Sequence, residues 1–291
     1  MNNTKGSFFM VASMAAFSVE DMLIKAAAET ASIGQILALF GLGGMLVFIF
    51  LTWRKGGQVF HPAILSAPLL LRAVCEVIGR FCFALAITLT PLSSASAILQ
   101  ATPLIAMVGA ALLFGENIGV KRWLAVVVGF AGVLMIIRPG FAGFEVNSIF
   151  AVVATLGFAG RDLATRAAPP VLSNTQLGVY GFFVLIPTGL VMMAYQGESV
   201  QLDLMLAAQI TGAIVFGVVA YNALTIAMRT GDVSVVSPFR YSRLLFALVL
   251  GILIFGESPD LVTLLGSLLI VVSGGYTLIQ TRRKVPANLS I

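Results

Sequence analysis

Phe17-Ser18-Val19-Glu20-Asp21-Met22-Leu23-Ile24-Lys25-Ala26-Ala27 sets two acids and a lysine inside an otherwise apolar run, and the pattern returns as Phe158-Ala159-Gly160-Arg161-Asp162-Leu163-Ala164-Thr165-Arg166-Ala167-Ala168. The offset of 141 positions holds over most of the chain. Ser7 matches Ser148, Phe9 matches Phe150, Ser32 matches Ser173 and Gln35 matches Gln176. Ser93 and Ser96 match Ser234 and Ser237, and Phe114-Gly115-Glu116 matches Phe255-Gly256-Glu257. A register kept without gaps over this distance reads as a duplicated half, and a repeat governs how everything else is read.

The 291 residues are 59% hydrophobic and only 10% charged, with a mean hydropathy of +1.04. Soluble domains carry about a quarter charged residues, so composition excludes that class. Apolar runs of roughly 18 or more residues recur between short polar gaps, which predicts spanning helices. The opening Met1-Asn2-Asn3-Thr4-Lys5 is followed by no small-residue cleavage site, so the first helix is expected to be retained. The net charge of +5 is spread over short loops, which is no nucleic-acid signature, and nucleic acid is not expected as a partner. Cys75 and Cys82 sit seven apart on one helix, roughly 10 Å along the axis, too far for a disulfide. They read as packing residues; no metal site and no cofactor is expected.

Ten spans are expected, at 7–28, 32–52, 66–89, 93–114 and 121–138, then 147–166, 175–195, 204–227, 233–255 and 260–280. The repeats are accordingly drawn at 7–138 and 147–280, followed by a basic tail, 281–291, read as cytoplasmic. Ser32-Ile33-Gly34-Gln35 and Ser173-Asn174-Thr175-Gln176 are matching capping boxes. Ser258-Pro259-Asp260 offers an N-cap with proline in the first turn. With both termini inside, the cytoplasmic segments hold Lys5, Arg54, Lys55, Lys121, Arg122, Arg166, Arg229, Arg282, Arg283 and Lys284. The outer side keeps only Lys25 and Arg138. Basic residues favour the cytoplasmic face, so both termini are assigned there. Five spans per half is an odd number, so the second copy must cross in the opposite sense. The fold class expected is an all-α integral membrane protein of two five-helix inverted-topology repeats, the architecture of many secondary transporters, with the solute bound between the halves.

The stretches Phe83-Ala84-Leu85-Ala86, Thr90-Pro91-Leu92-Ser93-Ser94-Ala95-Ser96-Ala97-Ile98, Ala101-Thr102-Pro103-Leu104 and Phe114-Gly115-Glu116, with Val235-Val236-Ser237-Pro238-Phe239-Arg240-Tyr241 and Phe255-Gly256-Glu257, resemble the EamA domain of the drug/metabolite transporter superfamily, one copy per half. The resemblance covers about residues 7–280 and is loose for substrate, since that family moves amino acids, vitamins, nucleotides and drugs. The opening helix with Glu20-Asp21 and the Pro238-to-Arg243 run are most similar to the proteobacterial riboflavin uptake branch. The resemblance implies a bacterial inner-membrane location, places the fourth and ninth spans at the central cavity, and leaves amino acids or another metabolite such as S-adenosylmethionine as alternative cargoes.

A charge near the bilayer centre costs at least ~2.5–3.5 kcal/mol on insertion scales, so each one is a candidate site. Asp21 with Lys25, and Asp162 with Arg166, have the acid-before-base i, i+4 spacing that lets a pair neutralise itself. Two readings stand: pairs that only lock packing, or anchors of opposite gates, with Glu20 and Arg161 beside them. Arg72, Glu76 and Arg80 form one face of the third span, whereas the matching positions in the second half are Ala213, Gly217 and Tyr221. That asymmetry points to a cavity-lining row, against an ion-pair ladder. Pro238 in the ninth span, and Pro103 expected near the middle of the fourth beside Gln100, free backbone carbonyls, tolerable at depth only beside a cavity or neighbouring helix. Phe17, Arg72, Glu76, Arg80, Gln100, Arg240, Tyr241 and Arg243 are the cavity candidates; Phe158, Phe239 and Tyr221 are further rings that could stack on a planar solute. Glu116 and Glu257 end their helices and read as interface anchors, and His61 as a solvent-exposed loop residue. Glycines 41, 43, 44, 129 and 132 read as close helix packing.

The expected partners are a small-molecule solute, riboflavin first, and the lipid bilayer, with a homodimer left open. No Gly-x4-Gly-Lys-Ser/Thr stretch occurs, so ATP is not the direct energy source. One loop histidine and two packing cysteines leave little from which to build an enzyme site. A channel or scramblase is disfavoured by the full inverted repeat with interrupted helices and no ring of pore-lining charge.

Overall fold

The structure, a computed structural model, describes residues 2–89, 98–116, 119–137, 147–196, 203–255 and 261–283. Ser93, Ser96, Arg138, Lys284 and the rest of the tail, Gly256-Glu257 and the Ser258-Pro259-Asp260 cap lie outside the described residues. The first half is α1 (Asn3–Ala27), α2 (Ile33–Arg54), α3 (Ala67–Leu89), α4 (Thr102–Phe114) and α5 (Val120–Ile137). The second is α6 (Ser148–Ala167), α7 (Asn174–Phe183), α8 (Leu185–Gln196), α9 (Leu204–Thr230), α10 (Val233–Val236), α11 (Ser242–Phe255) and α12 (Leu261–Arg283). Here α7 with α8 form one span, as do α10, the 3-10 turn Ser237–Tyr241 and α11. The fold is all-α, ten spans in two inverted five-span repeats.

Both interruptions have a covalent cause. Pro187 has no N–H to give the Phe183 carbonyl, and the helix breaks at Val184. Pro238 does the same one turn after Ser234, and the backbone tightens into the 3-10 turn Ser237–Tyr241. Pro103 marks a third break: Ile98 and Leu99 are helical, Gln100 and Ala101 form a turn, and α4 begins at Thr102, whose hydroxyl donates to the Leu99 carbonyl (2.5 Å) that Pro103 has no N–H to serve. Both capping serines are found: Ser32 Oγ accepts from the Gln35 N–H (3.2 Å), and Ser173 and Gln176 close both arms of the box.

The pairing of helices reproduces the repeat. Helix α1 packs along α9 and α3 along α6, two interfaces that interchange when the halves are exchanged; α2 packs on α7 and α8, and α5 on α12, each pair mapping onto itself. Each half therefore lends its first and third spans to the other. At the α3–α6 crossing the backbones meet through glycines: a Cβ on Gly157 would stand 2.8 Å from the Gly79 backbone and 3.0 Å from the Cys75 carbonyl. Small residues permit such an approach where lipid supplies no hydrophobic drive between helices.

Polarity is distributed inside out. Phe8, Phe50, Leu112, Val191 and Leu253 are all more than half exposed, while Glu20, Arg72, Glu76 and Asp162 are almost fully buried. Four stretches, α1, α2, 174–195 and α9, are each long and apolar enough to cross a bilayer by themselves. Hydrocarbon is the solvent that suits such an exterior, and ionised groups face the bundle interior in that setting.

Candidate functional site

The repeated acidic turn lands at the centre of the bundle. Helical spacing puts Phe17, Glu20 and Asp21 of α1 opposite Glu76, Arg80 and Phe83 of α3, and the crossing at Gly157 brings Phe158, Arg161 and Asp162 of α6 against the same row. Arg240 and Arg243 come from the 3-10 turn and the start of α11. Four guanidiniums thus meet four carboxylates, and Arg72, joined to Glu76 through the Tyr221 hydroxyl, gives the cluster a formal excess of one positive charge.

Glu76 is the hub. Its Oε1 lies 3.4 Å from both Arg80 Nε and Arg161 Nη1, and its Oε2 accepts from the Tyr221 hydroxyl at 3.0 Å. Arg80 also donates to Glu20 Oε1 (2.9 Å), and Arg161 donates to Asp162 Oδ1 through Nε (3.0 Å) and Nη2 (2.9 Å). The other Asp162 oxygen takes Arg240, and Asp21 takes Arg243 through Nε at 2.9 Å. Arg72 is held by Thr165 Oγ1 (2.8 Å), the Leu177 carbonyl (3.0 Å) and Tyr221 Oη (2.7 Å). Glu20 Oε2 is buried with no hydrogen-bond partner among the described residues.

Between these groups lies a small space lined by Phe17, Arg80, Phe83, Phe158, Arg161, Arg240 and Arg243, with no carboxylate on its wall. It holds about 10 Å³, the scale of one water molecule. The guanidiniums and rings are interleaved. Arg161 lies 4.9 Å from the Phe158 centroid, Arg243 5.0 Å from that of Phe17, and Arg80 5.9 Å from Phe17 and 5.7 Å from Phe40. Each arginine spends one to three of its five N–H donors on carboxylates, which orients it and leaves donors over.

Several sequence expectations are redistributed. Of the cavity candidates, Phe17, Arg80, Arg240 and Arg243 line the space, together with Arg161, which was read as a gate residue, and Phe83, which was not singled out. Phe83 follows Arg80 by three on the same face of α3, and that spacing was the available signal. Glu76 and Arg72 do not line the space. Glu76 stands behind it, and Arg72 is turned toward α6, α7 and α9 by its three hydrogen bonds. Tyr241 is corrected: it packs on Phe130, Leu244 and Leu245 and donates to the Val126 carbonyl (3.3 Å), on the α5 side of the 3-10 turn, because successive residues of such a turn are a third of a turn apart and Arg240 takes the face toward the space. Gln100 is buried ahead of α4 and does not line the space either.

Asp21 and Asp162, expected to pair with Lys25 and Arg166 on single helix faces, make ties that reach further. Asp21 reaches Arg243 on the opposite half, Asp162 is bound by two arginines, and Arg166 Nη1 donates to the Arg229 carbonyl (3.2 Å). Lys25 is exposed near the end of α1. Glu116 has a sharper role than an interface anchor. Gly115, at φ 62°, reverses the chain after α4, and the Glu116 carboxylate then accepts from the Val233 and Ser234 N–H groups (2.9 Å each), capping α10 across the halves. Beside it Asn3 Nδ2 donates to Asp232 Oδ2 (2.8 Å) and Asn3 Oδ1 accepts from the Asp232 N–H (2.7 Å), tying α1 to the same corner.

Comparison with known proteins agrees with this architecture. The profile of the EamA-like transporter family matches twice, over residues 4–138 and 147–278. A riboflavin transporter of Vibrio cholerae serotype O1 is 30% identical over 214 residues, which cover 71% of this chain and 70% of that protein. An S-adenosylmethionine uptake transporter of Rickettsia conorii is 24% identical, covering 69% and 68%. The pseudopaline exporter CntI of Pseudomonas aeruginosa is 27% identical over 260 residues, covering 88% and 90%. One solved crystal structure superposes with a TM-score of 0.82 over 98% of this chain and all of its own, at 16% identity, a likeness of fold alone. Repeat, bundle and buried charge converge: the chain belongs to the EamA-like transporter family, with two copies of its domain in tandem.

Proposed function

We propose that this protein is a secondary transporter of the bacterial inner membrane that carries riboflavin inward by alternating access, with both termini in the cytoplasm and repeat bodies at 7–138 and 147–280. The observation that carries the substrate reading is the wall of the central space: four arginines, three phenylalanines and no carboxylate. Such a wall is rich in donors and flat apolar faces. It suits a planar solute with acceptors along one edge, as the isoalloxazine ring has, and it disfavours a net cation such as S-adenosylmethionine. The 30% identity to a riboflavin transporter supports the same choice. An anionic metabolite is the second reading, favoured by the excess guanidinium charge.

Transport then follows from competition. In this conformation the space admits only a water, so a solute must part the halves to enter; it then accepts bonds from Arg240 and Arg243, weakening their ties to Asp162 and Asp21. One tie lies within the second half and the other bridges the halves, so their loosening frees opposite gates. Binding energy is thereby converted into a shift between states, which requires the solute to interact differently with each.

The test is growth of a riboflavin-requiring bacterium on limiting riboflavin, with wild-type and Arg240→Ala proteins at equal membrane abundance. Rescue by wild type alone supports the reading. Absence of rescue by well-expressed wild type removes riboflavin and leaves an anionic metabolite. The gate assignment is tested separately by cysteine accessibility in Asp21→Asn and Asp162→Asn. If both variants bias the protein to the same side, that part of the reading is wrong.

A further inference from the structure

A second cleft, of about 340 Å³, lies apart from the arginine-lined space, where α2 ends and the following loop meets the start of α7. Volumes of this order are those of small-molecule sites. Thr52, Lys55 and His61 of the first half form one wall, and Ser173, Thr175 and Gln176 of the second half form the other. No carboxylate is among the lining residues.

The loop carrying Lys55 and His61 is built in place. Gln176 Nε2 donates to the Gln58 carbonyl (2.7 Å), and the Tyr180 hydroxyl donates to the Val59 carbonyl (2.9 Å) while accepting from the His61 N–H (3.1 Å). His61 Nδ1 accepts from the Ala63 N–H at 3.1 Å. With that nitrogen acting as acceptor, the neutral ring carries its proton on Nε2, so the remaining edge of the imidazole is a donor. The Lys55 ammonium supplies formal charge. The capping box already occupies the start of α7, so side chains rather than free helix N–H groups provide the donors. Arg229 adds positive potential behind the opposite wall, donating to the Leu172 carbonyl and Asn174 Oδ1 at 2.7 Å each. Trp53 and Phe60, 71% and 76% exposed, flank the cleft. Exposed aromatic residues at helix ends mark the headgroup layer of a bilayer.

We propose that this cleft binds a phosphate group, presented by the headgroup of an anionic phospholipid or by free inorganic phosphate. Because its walls belong to opposite halves, an occupied cleft clamps them together at this end of the bundle. The site is independent of the transported solute.

The test uses the full-length protein in detergent, with its thermal midpoint followed during titration with dioctanoyl phosphatidylglycerol, dioctanoyl phosphatidylcholine or inorganic phosphate. The variants are Lys55→Ala and His61→Asn, the second keeping a side-chain acceptor for the Ala63 N–H. A saturable rise with phosphatidylglycerol alone supports the lipid headgroup, and a rise with inorganic phosphate as well supports the free anion as a source. In either case the double variant should need about tenfold more ligand for half the effect. Equal responses to phosphatidylglycerol and phosphatidylcholine, no response to any of the three, or a double variant that titrates like wild type would overturn the proposal.

Discussion

Replacing Glu76 by glutamine changes one oxygen to nitrogen at the point where both halves converge. The carboxylate receives Arg80 and Arg161 at 3.4 Å on one oxygen and Tyr221 at 3.0 Å on the other, with the side chain 1% exposed. Glu76→Gln removes the charge that offsets two buried guanidiniums and raises the formal excess of the cluster from one positive charge to two. Breaking a buried ion pair by removing one partner costs ~3–5 kcal/mol, most of it from the charge left behind. Tyr221→Phe removes the donor to Glu76 and the acceptor for Arg72, and hydrogen bonds to charged groups contribute about 1.5–3 kcal/mol each. Arg72 keeps two of its three partners, so the lower part of that range is expected. Because both changes act on one network, the double variant should cost less than the sum by about 1–2 kcal/mol. Reversible unfolding in mixed micelles, followed by tryptophan fluorescence, measures all three. A Glu76→Gln protein within about 1 kcal/mol of wild type, or strict additivity, would refute the claim that this carboxylate holds the cluster together.

Gly157→Ala is expected to destabilise by about 1–3 kcal/mol, the usual cost of overpacking, because the new Cβ meets backbone on α3 rather than a flexible side chain; unfolding in mixed micelles reads it. Glu116→Ala removes the cap on α10 and should cost about 1 kcal/mol, with faster labelling of a cysteine placed at Ser234 as the local readout. Arg243→Lys keeps the charge but loses the two-pronged contact with Asp21 and the stacking over Phe17. Riboflavin uptake by reconstituted protein is expected to fall at least about tenfold; an unchanged rate would count against Arg243 contacting the solute.

Much of the architecture was legible because inverted duplication writes itself twice. The acidic turns, the Ser–Gln caps and the Phe-Gly-Glu endings fall in one register, and odd parity does the rest. The residues of the central space were legible only by helix face. On the regular helices the spacing carries through, and Phe17 and Arg80 both stand on the wall of the space. Tyr241 failed because the backbone there is a 3-10 turn, in which a 3.6-residue face no longer applies. Arg72 failed for another reason. Its stem lies on the expected face, but Thr165, Leu177 and Tyr221 turn the guanidinium away, and contacts between distant spans leave no local trace.

The direction in which Arg72 is turned also bears on biogenesis. All three hydrogen bonds described for it reach residues that the ribosome makes about a hundred positions later or more. When the first half enters the translocon, Glu20 and Arg80 can already neutralise one another, but Arg72 awaits Thr165, Leu177 and Tyr221. A newly inserted third span thus carries Arg72 with Glu76 one turn away to offset its charge but without the three hydrogen-bond partners that hold it, until the second repeat arrives. Assembly is then ordered from N- to C-terminus, and a chain released early retains a defect that membrane quality control can recognise.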